Sequence, residues 1–330
     1  MTRISACLIV RDEAARLPAC LAALRWVDEV VVHDTGSSDG TPGIARAAGA
    51  VVVEGEWAGD FSTARNRALE LATGDWILSV DADEVAAVDV ATLRGVLDAT
   101  SADDLLVTID NAGEGWTGYT FTTVRLFRRA GARWAGRVHE HVVRDAAAAP
   151  GAVPAAALTL RHTGYADADT LRRKGERNAG LARAQLDDLL AEGAGAAALA
   201  AAALDLGRAC VGAGRGQEAV DAFEAVRDLV PTGPLRRQAT DFLARVLLGA
   251  GLPDVALHLA TELRAAGLDD AYCAWLEAQA HAQQGRPAQA LALLETVHEL
   301  RDAAGRTYDP AQVEQLRDLC RQLLDVVPSG

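Results

Sequence analysis

Four apolar runs of strand length, ISACLIV (4–10), EVVVHD (29–34), AVVVEG (50–55) and DWILSV (75–80), are each separated from the next by a segment with helical spacing. EAARLPACLAALR, DGTPGIARAAG and STARNRALELATG (62–74) supply those segments, with Ser62 predicted as the N-cap of the last and Gly74 as its stop. Strand and helix in alternation imply an α/β class, a parallel sheet with helices on both faces. Ligands of such sheets bind beyond the carboxyl ends of the strands, near a switch in strand order. Three polar clusters fall at those ends: Arg11 to Glu13, His33 to Asp39 and Asp81 to Glu84.

The rhythm then changes twice. Between about 105 and 165 come β-rich pieces, LLVTI, YTFTTVRLF, RVHEHVV and ALTLRH, and beyond about 167 the chain is helical and rich in Ala and Leu. This predicts two domains, 1–165 and 166–330. Within the second, GRGQEAVDAFEAV, GLPDVALHLATEL and GRPAQALALLETV align, with Gly214, Gly251 and Gly285 each five residues ahead of Ala219, Ala256 and Ala290. The periods of 37 and 34 residues resemble tetratricopeptide (TPR) repeats, although the aromatic positions of that family are mostly absent. Three repeats suffice for a stable stack, whose concave surface suits an extended peptide or a second subunit.

The stretch GDWILSVDADE (74–84) poses a chemical question. An apolar run ends in three carboxylates within four positions, and like charges that close repel unless a cation stands between them. A helix-capping turn, a Mg²⁺ or Mn²⁺ site and an acid–base carboxylate pair all fit the pattern. On an extended segment Asp81 and Asp83 would point the same way and converge on one ligand, which favours the metal.

Composition removes several classes. The net charge of −14 is spread along the chain, against a nucleic-acid surface or binding to anionic lipid. No run reaches the roughly 18 apolar residues of a membrane span, and the start reads as a strand, not a leader. Five scattered cysteines without a C-x-x-C pair predict reduced thiols and a cytoplasmic protein. Lys174 is the only lysine, so Schiff-base chemistry would rest on one side chain.

Taken together, CLIVRDEAARLPACL, VDEVVVHDTGSSDGT, DFSTARNRALELATGDWILSVDADE and VRLFRRAGARWAGRVHEHV resemble family 2 glycosyltransferases of the GT-A fold. The likeness is to the branch of peptide S-glycosyltransferases and lipopolysaccharide-core glucosyltransferase relatives, which often carry helical repeats. Asp12, where the family usually has Asn, is a departure. The resemblance implies an inverting transfer from a nucleoside-diphosphate sugar, a UDP-sugar first of all. The acceptor would be a hydroxyl or thiol of a peptide or natural product. It implies Arg11 and Glu13 beside the nucleotide, Asp34 on the base, and Arg65 on the base or diphosphate side. Asp81 is expected on the ribose and Asp83, second acid of the D-x-D, on a divalent Mn²⁺ or Mg²⁺. Glu140, between His139 and His141, matches the family's HE segment and is the expected catalytic base; if that stretch is extended, it faces away from both histidines. His162 is expected as a further metal ligand; His139, which also matches a family position, and His141 are further candidates. Trp116 or Trp134 could stack on a sugar, whereas Trp76 reads as core. A homodimer through the helical domain is a further expectation. The rival reading is a TPR-type scaffold whose transferase half no longer acts; an intact set of Asp34, Arg65, Asp81 and Asp83 argues against it.

Overall fold

The computed structural model describes residues 2–111, 118–145, 148–163 and 168–326. They fall into two compact units, one comprising residues 1–112 with 120–165 and the other 113–119 with 166–330.

The first unit contains, in chain order, β1 (Ile4–Val10), α1 (Leu17–Ala23), β2 (Glu29–Asp34), α2 (Thr41–Ala47), β3 (Val51–Glu54), α3 (Phe61–Leu71), β4 (Trp76–Ser79), β5 (Glu84–Val88), α4 (Val90–Ala99), β6 (Asp104–Asn111), β7 (Tyr119–Arg128), β8 (Arg133–Ala135), β9 (His141–Val143), β10 (Gly151–Ala152) and β11 (Leu158–His162). The main sheet runs β3-β2-β1-β4-β7-β6-β11-β5. Its first four strands are mutually parallel, as the alternating pattern predicts. Beyond them the sheet is mixed: β7 runs antiparallel to β4 and β5 antiparallel to β11, which is itself parallel to β6. The expectation of a parallel sheet thus holds for the N-terminal half only. The reason is local: the chain turns straight from Asp81 into β5 with no helix between them, and a crossover helix is what keeps successive strands parallel.

Side chains on the central strands sort by the period of two. Ile4, Ala6, Leu8 and Val10 of β1 join Trp76 and Leu78 of β4 in a core with Leu17 and Leu21 of α1 and Leu93 and Leu97 of α4. Cys7, Val31 and Ile77 point the other way, toward Ala68 and Leu69 of α3 and toward Phe127 and Trp134. Trp76 is core, as expected. Helix α3 is capped by Asp60, whose Oδ1 accepts from Thr63 N–H at 3.0 Å; Ser62 instead donates to the same oxygen at 2.7 Å. Gly74 lies beyond the helix end and is required by crowding, since a Cβ there would stand 2.6 Å from the Ser5 amide nitrogen.

The second unit is α5 (Ala168–Ala191), α6 (Ala196–Gly212), α7 (Gly216–Leu229), α8 (Pro234–Gly249), α9 (Pro253–Ala265), α10 (Asp270–Gln283), α11 (Pro287–Leu294), the short strands β12 (Leu300–Arg301) and β13 (Thr307–Tyr308), and α12 (Ala311–Val326). The three aligned segments are the turns and second helices of three helix pairs, α6–α7, α8–α9 and α10–α11. Gly214, Gly251 and Gly285 occupy the turns with φ of +74°, +74° and +70°. In each turn the residue after the glycine donates its N–H to the carbonyl five residues back, as in Arg215 to Cys210, Leu252 to Leu247 and Arg286 to His281. That closure needs a left-handed residue, which only glycine adopts cheaply. The matching alanines, Ala219, Ala256 and Ala290, are fully or almost fully buried where the helices cross. Among the described residues no helix is long and apolar enough to cross a membrane.

Candidate functional site

At the C-terminal end of β2, Asp34 is buried to 1% exposure. Its Oδ1 accepts from the amides of Gly36 at 3.0 Å and Ser37 at 2.8 Å, which turns the chain sharply. Its Oδ2 is buried with no partner. The adjoining end of β1 is tied to this turn by Asp12, at φ 55°: its amide donates to Ser37 Oγ at 2.8 Å and its Oδ1 accepts from Ser38 N–H at 2.7 Å. Arg11 is exposed beside Asp12. The Glu13 amide donates to Thr41 Oγ1, and its carboxylate accepts from Arg16 at 3.2 Å.

Residues 81–84 form a turn, closed by the Glu84 amide donating to the Asp81 carbonyl oxygen at 3.0 Å, not an extended segment. Asp81 and Asp83 therefore have separate partners. Arg65 donates from Nη2 to Asp81 Oδ1 at 2.8 Å, from Nη1 to Ser79 Oγ at 2.9 Å, and from Nε to Glu140 Oε1 at 2.5 Å. Arg125 donates from one Nη2 to both Asp81 Oδ2 and Glu84 Oε1, each at 2.9 Å. The cations that offset the acidic cluster are, for Asp81 and Glu84, two guanidiniums of the chain itself. Burial alone would raise the Asp81 carboxyl, but Arg125 and Arg65 outweigh it and hold that group well below the usual carboxylate range. For Glu84 burial wins: despite Arg125, desolvation and the neighbouring Asp81 charge push it up to about 7.

Asp83 faces the other way. Strand β11 pairs with β5 so that His162 lies opposite Glu84, and Thr163 N–H donates to the Asp83 carbonyl oxygen at 2.8 Å. This register brings His162 Nε2 to 3.1 Å from Asp83 Oδ2. A carboxylate oxygen and an imidazole nitrogen side by side are donors that a divalent first-row cation accepts. Among the described residues no group of three or more His, Cys, Asp or Glu could hold a metal alone. The pair thus fits a metal shared with further oxygen ligands.

Glu140 arrives from 75 residues away. The Asn66 side chain fixes its approach by bonding the Trp134 backbone twice, accepting from its N–H at 2.8 Å and donating to its carbonyl at 3.0 Å. Residues 136–140 are not extended and His139 has φ 52°, so the strand-based expectation of opposite faces does not apply. His141 is exposed in β9. Trp134, expected near a sugar, is instead 7% exposed, packed edge-on against Phe127, and lies under the Arg65 guanidinium at 5.1 Å. Trp116 lies outside the described residues. Arg65, expected on the nucleotide, directs all three of its nitrogens to protein partners.

Sequence reasoning missed Arg125, Asn66 and the part played by Ser79. For Arg125 a signal exists: an arginine inside YTFTTVRLFR, flanked by buried Leu126 and Phe127, needs a buried acid. Which acid follows only from register. Continuing β4–β7 pairing past Leu78↔Leu126 sets Arg125 opposite Ser79.

Residues 5–150 match the family described as Glycosyl transferase family 2. They form a family 2 glycosyltransferase domain. Relatives of the chain include a TPR repeat-containing protein of Synechococcus elongatus, 42% identical over 184 residues, covering 53% of this chain and 45% of that protein. They also include the SPbeta prophage-derived glycosyltransferase SunS of Bacillus subtilis, 32% identical over 142 residues, 40% of this chain and 33% of that one. The chain spans less than half the length of either. Among solved structures, glucosyl-3-phosphoglycerate synthase from Mycobacterium tuberculosis in complex with Mn²⁺ and UDP-glucose is 24% identical, with a TM-score of 0.29 over 33% of this chain and 44% of that chain. The glycosyltransferase domain thus contains the Arg65, Asp81 and Glu140 network, whereas His162 lies beyond the matched stretch.

Proposed function

We propose that the chain is an inverting, metal-dependent glycosyltransferase, with residues 1–165 as its catalytic part and residues 166–330 as a TPR-like helical part. It moves a hexose from a nucleoside-diphosphate donor, UDP-hexose first of all, to a hydroxyl or thiol of a peptide or small molecule. One observation carries the reading: Arg65 joins Asp81 and Glu140 in one buried network, next to the Asp83–His162 pair.

Each role has its own support. Asp34 has one buried carboxylate oxygen without a hydrogen-bond partner, which supports pairing with an N–H such as the imide of a uracil ring once the turn after β2 moves to admit it. Asp81, pinned and ionised, still exposes 34% of its side chain, enough to accept a ribose hydroxyl. Arg11 and Glu13 stand at the same strand ends and flank the nucleotide. Asp83 and His162 would hold Mn²⁺ or Mg²⁺ together with diphosphate oxygens. A cation bound there would supply Lewis-acid stabilisation of the leaving diphosphate. The acceptor oxygen or sulfur attacks the anomeric carbon as its bond to the diphosphate oxygen breaks, and the acceptor proton passes to the Glu140 carboxylate. Arg65 acts by orienting that carboxylate. Five buried, unpaired cysteines support a cytoplasmic setting.

The test is a donor screen. UDP-, GDP- and TDP-sugars are each incubated with Mn²⁺, Mg²⁺ or EDTA while nucleoside diphosphate release and nucleotide-dependent thermal stabilisation are followed. Metal-dependent turnover of one donor, abolished in Asp83→Ala, supports the reading. Silence from every donor with no stabilisation refutes it and leaves the scaffold reading.

A further inference from the structure

Glu140 ends a stretch that has no regular structure of its own. Residues 136–140 are neither helix nor strand, and the backbone bends at Gly136, with φ 100°, and again at His139, with φ 52°. Such a chain does not hold a carboxylate in one place by itself, because every unrestrained residue spreads the positions its end can reach.

Helix α3 supplies the restraint from its first two turns, at every third residue of the stretch. The Phe61 amide donates to the Arg137 carbonyl oxygen at 3.0 Å. Arg65 holds the Glu140 carboxylate, and Asn66 holds both backbone groups of Trp134. The helix is itself fixed to the sheet: buried His33 donates from Nδ1 to the Ala64 carbonyl oxygen at 2.9 Å.

The Asn66 contact has a particular geometry. Trp134 pairs with Val142 across the β8–β9 ladder, and its N–H and carbonyl both meet Asn66 instead of that partner. A residue at a non-hydrogen-bonded position of an antiparallel pair turns both groups outward. A primary amide presents one acceptor and one donor to match them. Asn66 thus does for the edge of β8 what a third strand would do. Asparagine is otherwise a poor residue for a helix interior.

We propose that Asn66 is a positioning residue of the transfer reaction, holding residues 134–140 on α3 so that Glu140 meets the acceptor. The inference rests on Glu140 as the base. Asn66 touches no reacting atom and acts through Glu140 alone, whereas Arg65 also serves Asp81.

A double-mutant cycle tests it. Turnover of the donor is measured per UDP-binding site, counted by isothermal titration, in the wild type, Asn66→Ala, Glu140→Gln and the double variant. Asn66→Ala should lower turnover per site by about 10- to 10²-fold, the cost of a displacement of about 1 Å, with the donor KM within about twofold. Added to Glu140→Gln, the same change should cost less than about twofold, since no base is left to position. A merely structural role would instead reduce the number of binding sites. Unchanged turnover per site in Asn66→Ala, or equal losses in both backgrounds, would overturn the assignment. Hydrogen exchange read by mass spectrometry tests the clamp without turnover. Amides of 134–140 should exchange faster in Asn66→Ala while those of β1 and β4 keep their rates, and unchanged exchange in 134–140 refutes the clamp. Faster exchange there in a protein that turns over no donor would count against the transfer reading and not against the clamp.

Discussion

Replacing Arg65 by lysine keeps the charge and removes the fork. The guanidinium bonds Glu140, Asp81 and Ser79 through three different nitrogens and lies over the Trp134 ring. A single ammonium on a flexible stem can retain one of these partners. Asp81 still has Arg125, so the carboxylate left short is Glu140, whose side chain is only 12% exposed. Losing one charge-assisted bond costs about 2 kcal/mol and the neutral Ser79 bond about 1 kcal/mol. Arg65→Lys should therefore destabilise the N-terminal unit by about 3 kcal/mol. Arg65→Met, which leaves two carboxylates without that cation, should cost still more, up to about 5 kcal/mol. Urea unfolding followed by tryptophan fluorescence reads this, since Trp76 and Trp134 are buried in that unit. The helical transition, followed by far-ultraviolet circular dichroism, should stay in place. An Arg65→Lys protein within about 0.5 kcal/mol of the wild type, the range of an ordinary surface change, would refute the idea that this residue organises the site.

Further consequences can be measured directly. Glu140→Gln should lower the transfer rate at least about 10²-fold while nucleotide-dependent thermal stabilisation persists; full activity would remove Glu140 from the base role. His162→Ala should raise the Mn²⁺ concentration needed for UDP to stabilise the fold, and an unchanged midpoint would separate His162 from the metal. Burial pushes Asp205 in α6 up to about 7 against the pull of Arg208, so the folded state holds a proton that the unfolded chain releases. The sign follows: this group's contribution is intact below about pH 4 and is lost as pH rises toward 7. Asp205→Asn should match the wild type at about pH 4 and exceed it at pH 8, by on the order of 4 kcal/mol at most, as read by urea unfolding of the helical signal. Equal stability at both pH values would contradict the burial argument. Gly251→Ala, at φ +74°, should cost about 1 kcal/mol, seen as a lower melting temperature of the helical unit.

What was legible in the sequence was whatever depends on one element at a time. The period of two in ISACLIV and DWILSV sets which residues enter which core, and a glycine five residues ahead of a buried alanine marks each helix turn in the repeats. The strand ends could be listed for the same reason, because each strand ends where its own apolar run ends. Pairings across the chain were not legible. DADE reads identically whether its acids meet a metal or an arginine, and the difference lies in the register of β7 against β4, some 50 residues away in sequence.

The local backbone also explains why Asp81 and Asp83 have separate partners. A turn at 81–84, in place of an extended strand, rotates Asp81 toward Arg65 and Arg125 and leaves Asp83 to the β5–β11 edge, where His162 waits. Two acids that close with no cation between them would titrate as a pair, with one of them protonated near neutrality. Here that burden falls on Glu84, which is 2% exposed and accepts from the Asp81 amide at 2.8 Å. The arginines keep Asp81 ionised and fixed, and Asp83 stays outside their hydrogen bonds. The turn thus gives Asp81 and Asp83 separate partners, and the acid whose carboxyl is pushed up is Glu84, which nothing in the acidic run distinguishes from its neighbours.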